Sequence, residues 1–169
     1  MKPEHKGRFD VVAVRLLHSV LGQEDWDIVM SNIIALLRPG GWIQWADFDP
    51  LTPGIAAIKF ESQDAAVIRS VLVRYVDNMK TKAIGDMHRI PSTFASRGLE
   101  SVETDFYSQT EELEFTKVVV AGFIESLQEA DEMSEMDARD MRVKVNHEIE
   151  GCRPVLKYDL WCHLAQKPL

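Results

Sequence analysis

The stretch LRPGGWIQWADFDP, residues 37–50, decides the fold of this chain of 169 residues. Before it, residues 24–37 carry apolar side chains at three- and four-residue steps, which predicts a helix with one buried face. Residues 38–41, RPGG, are expected to end that helix, because proline cannot continue the hydrogen-bond ladder and glycine accepts left-handed backbone angles. Residues 42–48 then predict a strand that follows the helix directly.

A second strand is predicted upstream, at Phe9–Val14, where a β-branched apolar run leaves neither face polar, as in the interior of a parallel sheet. Strand, helix and strand within about 40 residues form a βαβ unit, whose crossover is expected to be right-handed. Further periodic segments bring the total to four strands and about five helices in the order β-α-β-α-(α)-β-α-α-β. The remaining predicted elements are a long helix through Phe60, Asp64 and Met79 that ends before Gly85, a short helix Ile90–Arg97, a strand Leu99–Tyr107, a helix 111–130, a helix that is capped by Ser134 and ended by Gly151, and a strand Val155–Ala165.

This order predicts a single α/β domain over residues 1–169, with a parallel opening and an antiparallel last strand. In that last strand the alternation assigns Leu156, Tyr158, Leu160, Cys162 and Leu164 to one apolar side. His147 and His163 fall on polar faces, and no role is assigned to them.

The composition is that of an ordinary globular protein, with 46% hydrophobic and 27% charged residues. The net charge of −8 is concentrated between Glu111 and Glu150, where there are 12 acidic residues and 4 basic ones. An acidic surface argues against nucleic acid as a ligand, because a phosphate backbone requires a basic face. No apolar run approaches the ~20 residues that span a bilayer, and the first ten residues lack the apolar core of a signal peptide. We therefore expect a cytoplasmic location and no membrane partner.

Four segments of the chain resemble a known family: GRFDVVAVRLL (7–17), LLRPGGWIQWADFD (36–49), FASRGLESVETDFY (94–107) and YDLWCHLAQKPL (158–169). They look like the C-terminal half of class I S-adenosylmethionine (SAM)-dependent methyltransferases, and are most similar to the fungal natural-product and LaeA-like group. The resemblance implies strands four to seven of a Rossmann-like sheet ordered 3-2-1-4-5-7-6, in which strand seven is antiparallel. We therefore expect a truncated sheet of about four strands, in the order 4-5-7-6, with flanking helices.

One sequence motif of the resembling family has no counterpart in this chain. The family holds SAM through a G-x-G-x-G loop after strand one, whereas the only adjacent glycines in this chain are Gly40 and Gly41. The resemblance implies that strands one to three would precede Met1, and that only the loop Val14–His18 corresponds to part of the cofactor site. We expect no cofactor in this chain, or SAM if another chain supplies the missing half.

The missing half also predicts an association surface. In the resembling fold the strand Phe9–Val14 has a neighbour on each edge, but here one edge has no partner strand. An exposed apolar edge strand is a template for association. We therefore expect a homo-oligomer, most simply a dimer, through residues 9–14 or the adjoining apolar faces.

Candidate site residues are expected beyond the carboxyl ends of the parallel strands, where open α/β sheets bind ligands. His88 is the most attractive general acid or base, because imidazole titrates near neutral pH. The other candidates for catalysis are Arg15, His18 and Asp47. The candidates for contact with a small-molecule substrate are Trp45, Phe48, Asp49, Met87 and Arg89.

These candidates have structural alternatives. Arg15 could form an ion pair with Asp47 instead of binding a carboxylate or a ketone. His18 could hydrogen-bond only to backbone, and His88 could face solvent. Trp45 could belong to the core.

No metal site is predicted, because no spacing of histidine and cysteine supports one. Cys152 and Cys162 are expected to be free thiols.

Three functions remain open on these grounds. The first, which we favour, is a methyltransferase-like protein of secondary-metabolite biosynthesis that has been repurposed as a SAM-independent cyclase or pericyclase. Fungal pathways use the family's fold in this way, and such chemistry needs only a shaped apolar pocket and one or two polar groups. The second is a partner subunit of an intact methyltransferase. The third is part of an ordinary SAM-dependent O- or N-methyltransferase.

Overall fold

The computed structural model of the chain describes residues 3–17, 20–22, 24–57, 65–81, 87–109 and 113–169. Five strands, five α-helices and a short 3-10 helix at Pro3–His5 lie in these ranges. The strands are β1 (Phe9–Arg15), β2 (Leu37–Phe48), β3 (Gly54–Ala57), β4 (Glu100–Gln109) and β5 (Pro154–Gln166), and the helices are α1 (Asp25–Leu36), α2 (Ala66–Thr81), α3 (Arg89–Ser96), α4 (Leu113–Glu129) and α5 (Glu135–Cys152).

These elements group into two compact units. Unit 1 contains β1, α1, β2, α3, β4 as far as Tyr107, and β5 from Leu160 onward. Unit 2 contains β3, α2, α4, α5, and β5 as far as Asp159. The prediction that residues 1–169 form one domain stays a prediction.

The strand order in unit 1 confirms the predicted sheet. β1 is parallel to β2, β2 is antiparallel to β5, and β4 pairs with β5 on the other side. Thr104 contacts His163 and Phe106 contacts Trp161, so β4 and β5 run in opposite directions. The order β1-β2-β5-β4 is the predicted 4-5-7-6 order with an antiparallel strand seven.

The RPGG segment lies inside β2, whereas the sequence predicted that it would precede the strand. Phe9 pairs with Leu37 and Val11 pairs with Trp42, so residues 38–41 form an irregular bulge within the ladder. Gly40 has a φ of +75° at this bulge. Residues 38–41 do end α1, but the chain enters the sheet without an intervening loop, because the bulge absorbs the extra residues.

The sheet of unit 1 has two unlike faces. On one, which we call the covered face, Ile43 and Trp45 are buried with residues from α1 and α3 such as Met30 and Phe94. On the other, which we call the open face, the alternate residues of β2 are only half-buried. Arg15 pairs in register with Ala46 and is exposed, so it lies on the open face. The open-face residues of β2 are Trp42, Gln44, Ala46 and Phe48.

Unit 2 is built around α2, α4 and α5, which pack on one another. Tyr75 of α2 stacks on Phe123 of α4 with ring centroids 3.9 Å apart. The first turn of α2 is capped from α5, since the carboxylate of Glu148 accepts hydrogen bonds from the backbone N–H groups of Val67 (3.0 Å) and Ile68 (2.8 Å).

Strand β3 of unit 2 was not predicted. Its four residues pair antiparallel with residues 154–157 of β5, in a segment that the sequence assigned to a loop and the start of a helix. The partner strand lies 100 residues further along the chain, and short apolar runs such as GIAA carry no pattern that reveals it.

Most helix boundaries agree with the predicted ones within a few residues. Ser134 caps α5 as predicted, with its hydroxyl accepting from the N–H of Asp137 at 3.1 Å. The helix ends at Cys152 with Arg153 in a left-handed conformation, and not at Gly151. Phe60, Asp64 and Gly85, which the sequence assigned to the long helix and its end, lie outside the described residues.

No helix in the described ranges is long and apolar enough to cross a membrane. Both cysteines are free thiols, as predicted.

Candidate active site

The predicted site residues of unit 1 fall on opposite faces of the sheet. Asp49 follows β2 on the covered side, where His88 approaches it from the start of α3. Arg15 and Phe48 line a cavity on the open face. The sequence assigned all of them to one opening, and strand alternation separates them, because neighbouring residues point to opposite faces.

Asp49 and His88 are the two predicted residues that the fold brings together. Nε2 of His88 lies 3.8 Å from Oδ2 of Asp49. The carboxylate is 2% exposed and the imidazole 59% exposed, so the pair presents an accessible ring in front of a buried carboxylate. The distance is longer than that of a hydrogen bond and is that of an electrostatic contact. Such a pair can stabilise positive charge on the ring when the ring accepts a proton.

Two aromatic residues that the sequence analysis did not single out complete this site. Trp161 of β5 meets the His88 ring edge-on at 4.6 Å, and Phe106 of β4 meets Trp161 at 5.0 Å. Trp161 pairs in register with Asp47 on β2, so it lies near the end of the strand from which Asp49 continues. Trp161 could be identified as a site residue only from its register with Asp47 on β2. The local sequence pattern does not contain that register.

His163 was assigned to a polar face, and this prediction is wrong. The residue is fully buried, its Nδ1 lies 2.9 Å from the hydroxyl of Thr104, and its ring stacks at 6.1 Å from Trp161. The buried side of β5 changes along the strand: Leu156 and Tyr158 are buried in unit 2, whereas His163 and Ala165 are buried in unit 1. A single alternating pattern over the whole strand therefore chose the wrong face for its second half.

Burial lowers the pKa of His163 from its ordinary value of 6.5 to about 4, because the charged ring would lose its hydration. The charge of His88 acts in the same direction, and the backbone of Met87 acts weakly in the opposite one. His163 is therefore neutral at physiological pH, with its ring stacked beside that of Trp161.

The pKa of His163 makes the stability of unit 1 depend on pH. Between about pH 6.5 and pH 4 the unfolded chain binds a proton at this residue that the folded chain does not, so the free energy of unfolding falls as the pH falls. The full effect is roughly 3 kcal/mol, reached near pH 4. Urea unfolding at pH 7 and pH 4 is expected to show a smaller pH dependence for His163→Gln than for the wild type.

The exposed His147 of α5 supplies the matched control. His147→Gln is expected to retain the wild-type pH dependence. An equal pH dependence of the wild type and His163→Gln would contradict the burial of a neutral His163.

Asp47 is buried, and its carboxylate is hydrogen-bonded to backbone N–H groups. Its buried carboxylate accepts hydrogen bonds from the backbone N–H groups of Leu17 (2.8 Å) and Phe48 (3.0 Å). The predicted ion pair with Arg15 does not form: within the described part of the chain Arg15 makes no ion pair, and its register partner is Ala46. Asp47 lies on the covered face and Arg15 on the open one, which explains the separation. The catalytic role predicted for Asp47 stays a prediction.

The other predicted residues differ in accessibility. Trp45 is fully buried and stacks on Trp26 with ring centroids 5.3 Å apart, which favours the core alternative. Met87 is also fully buried, whereas Arg89 is exposed at the first residue of α3. Their substrate contacts stay predictions. His18 lies outside the described residues.

The described part of the loop after β1 is hydrogen-bonded to β2. The resembling family uses this loop beside the methionine part of the cofactor, but two of its backbone donors are already engaged here. The N–H of Leu16 donates to the carbonyl oxygen of Ala46 at 3.2 Å, and the N–H of Leu17 donates to Asp47. These two N–H groups are therefore engaged within unit 1 and are not available to a cofactor.

No protein-family profile matches the sequence. A SAM-dependent methyltransferase of Archaeoglobus fulgidus superposes with a TM-score of 0.50 and 13% identity, over 96% of this chain and 61% of that one. A Bacillus halodurans protein provisionally assigned as a methyltransferase gives a TM-score of 0.54 at 12% identity, over 100% of this chain and 74% of that one. The chain thus has the Rossmann-like fold of SAM-dependent methyltransferases.

A more particular similarity comes from sequence. The chain is 52% identical over 44 residues to methyltransferase grgD of a Penicillium species, covering 26% of this chain and 15% of grgD. It is 46% identical over 43 residues to the secondary metabolism regulator laeA of Coprinopsis cinerea, covering 25% of this chain and 10% of laeA. The match thus spans a small part of either relative. The protein is methyltransferase-like, and its two fungal sequence relatives are a methyltransferase and a regulator of secondary metabolism.

Proposed function

We propose that this chain is an enzyme of secondary-metabolite biosynthesis that converts a small organic substrate without SAM, as a cyclase or pericyclase-type isomerase. The observation that carries the proposal is the His88–Asp49 pair beside Trp161 at the carboxyl end of β2. The accessible imidazole and the buried carboxylate supply the polar groups that such a reaction uses, and Trp161 supplies apolar surface beside them.

In this mechanism the imidazole of His88 holds a proton against a carbonyl oxygen of the substrate and so polarises the carbonyl. The carboxylate of Asp49, 3.8 Å from Nε2, stabilises the positive charge on the ring. Trp161 and Phe106 pack against the apolar part of the substrate and hold it in the reactive conformer. No group is transferred, so the product has the mass of the substrate.

The experiment combines a product analysis with a binding measurement. The purified chain is incubated with a polyene or quinone-methide-type intermediate, and the products are analysed by mass spectrometry. We expect isomers of unchanged mass, and no binding of SAM below millimolar concentration by isothermal titration calorimetry. A product heavier by a methyl group, or micromolar binding of SAM, would overturn the proposal.

The alternative is a segment or partner subunit of an active SAM-dependent O- or N-methyltransferase. The observation that favours it is the local identity of 52% to methyltransferase grgD. Under this alternative, SAM binds only after a chain that contains a G-x-G-x-G segment is added. Under the cyclase proposal, such a chain makes no difference to turnover.

We also propose that the chain forms a homodimer through residues 9–14. Among the described strands β1 lies at the end of the order, and Phe9 and Val11 are 42% and 58% exposed. Sedimentation at micromolar concentration is expected to show a dimer that Val11→Lys converts to a monomer. Val73→Lys, at an exposed valine of unit 2, is the control that should stay dimeric. A wild-type monomer would contradict this proposal.

A further inference from the structure

We infer that the open face of unit 1 carries a second binding site, which takes the carboxylate of a small apolar molecule. The site is a cavity of about 360 Å³. The inference does not depend on the proposed function, since none of its lining residues belongs to the His88 group. The lining residues are Arg15, Leu16, Gln44, Ala46, Phe48, Tyr107, Leu160 and Cys162.

The cavity exists because two small side chains meet in the middle of the sheet. Ala46 of β2 pairs in register with Cys162 of β5, and the next pair on the same face is Phe48 with Leu160. The small pair forms a depression and the large pair forms its wall. The floor is therefore mostly apolar, and the thiol of Cys162 accepts a hydrogen bond from the side-chain amide of Gln44 at 3.6 Å.

The charge of the residues that line the cavity favours an anionic ligand. Arg15 is its one cation, and none of the eight lining residues is acidic. Within the described part of the chain the guanidinium of Arg15 has no ion-pair or hydrogen-bond partner, whereas Arg38 is paired with Asp10. A guanidinium above an apolar floor matches a carboxylate attached to an apolar body, which it can bind through two parallel hydrogen bonds.

The backbone next to Arg15 is hydrogen-bonded to β2. Leu16 adopts a φ of +52°, a left-handed angle that is unfavourable for leucine. The N–H of Leu16 donates to Ala46, and the N–H of Leu17 donates to the carboxylate of Asp47. These two bonds anchor the backbone of Leu16 and Leu17 to β2, so the backbone next to Arg15 is positioned before a ligand binds.

The size of the cavity selects small ligands. A volume of about 360 Å³ is near the lower end of the range of ligand pockets, which is about 300–1,000 Å³. A fused bicyclic aromatic acid combines a flat apolar body with one carboxylate. We therefore use 2-naphthoate as the probe, and 2-naphthamide as its neutral partner of the same shape.

The test is isothermal titration of the full chain with both probes. We expect 2-naphthoate to bind at least tenfold more tightly than 2-naphthamide, and Arg15→Gln to remove that difference. Arg15→Lys is expected to retain part of it, because lysine keeps the charge and loses the two-bond geometry. Arg8→Gln, which removes an exposed arginine near the opposite end of β1, is expected to bind 2-naphthoate like the wild type.

Three results would overturn the inference. They are equal affinity for the acid and the amide, wild-type affinity in Arg15→Gln, and no binding of 2-naphthoate at millimolar concentration.

The Ala46→Phe variant, whose larger side chain fills the depression, tests whether a second copy of the chain occupies the cavity instead of a small acid. If 2-naphthoate does not bind and this variant converts a wild-type dimer to a monomer, a second copy of the chain covers the cavity. Tryptophan fluorescence verifies that each variant is folded, since all four tryptophans lie in unit 1.

Discussion

The His88→Gln variant is expected to turn over the substrate roughly 10²–10⁴-fold more slowly than the wild type, the usual loss for a general acid or base. Glutamine keeps the size and polarity of the side chain but cannot exchange a proton. Asp49→Asn removes the charge 3.8 Å from the ring, and it is expected to cost roughly tenfold. The measurement is the rate of formation of the product of unchanged mass.

The control for this prediction is His147→Gln, at an exposed histidine of unit 2. It is expected to retain the wild-type rate. Because His88 is mostly exposed, its replacement should leave the tryptophan fluorescence and the free energy of unfolding of unit 1 close to the wild-type values. A folded His88→Gln variant with full activity would remove His88 from the mechanism.

The Gly41→Ala variant is expected to lose about 2–3 kcal/mol of unfolding free energy, because the added methyl group has no room. Its Cβ would lie 2.9 Å from the carbonyl oxygen of Phe9, 3.0 Å from that of Arg38 and 3.1 Å from that of Asp10. All three atoms are backbone, so β1 and β2 would have to move apart. Urea unfolding followed by tryptophan fluorescence measures the loss in unit 1.

Two other glycines provide a graded comparison. Gly40→Ala is expected to cost about 1 kcal/mol, because alanine must adopt a φ of +75° and lies 3.1 Å from a side-chain atom of Leu169. Gly54→Ala meets no heavy atom within 4 Å, and it is expected to stay within about 0.5 kcal/mol of the wild type when unit 2 is followed by circular dichroism. A stable Gly41→Ala variant would be inconsistent with the close approach of β1 and β2 at the bulge.

Much of the fold was predictable because its signals are local. The helix before residue 37 and the strand after residue 41 follow from apolar periodicity, and Ser134 caps its helix through a neighbour three residues away. The strand order came from the resemblance carried by four quoted segments. β3 could not be predicted, because its partner is distant in sequence and a four-residue strand has no periodicity of its own.

The candidate site was predicted as a set of residues and not as an arrangement. His88 and Asp49 were both identified from residue type and position, but their distance depends on how α3 meets the end of β2. Trp161 was missed and His163 was misassigned, because the buried side of β5 changes within the strand. Arg15 and Phe48 were correctly assigned to strand ends and wrongly grouped with His88.

The amino-acid sequence by itself determined where helices and strands form, since hydrogen-bond geometry and side-chain periodicity act over a few residues. It also determined the absence of a G-x-G-x-G segment. Only the tertiary structure decided which side of each strand is covered. Alternation divides a strand into two sets of side chains but does not say which set meets a neighbouring helix. That choice places the His88–Asp49 pair on one face of the sheet and Arg15 on the other.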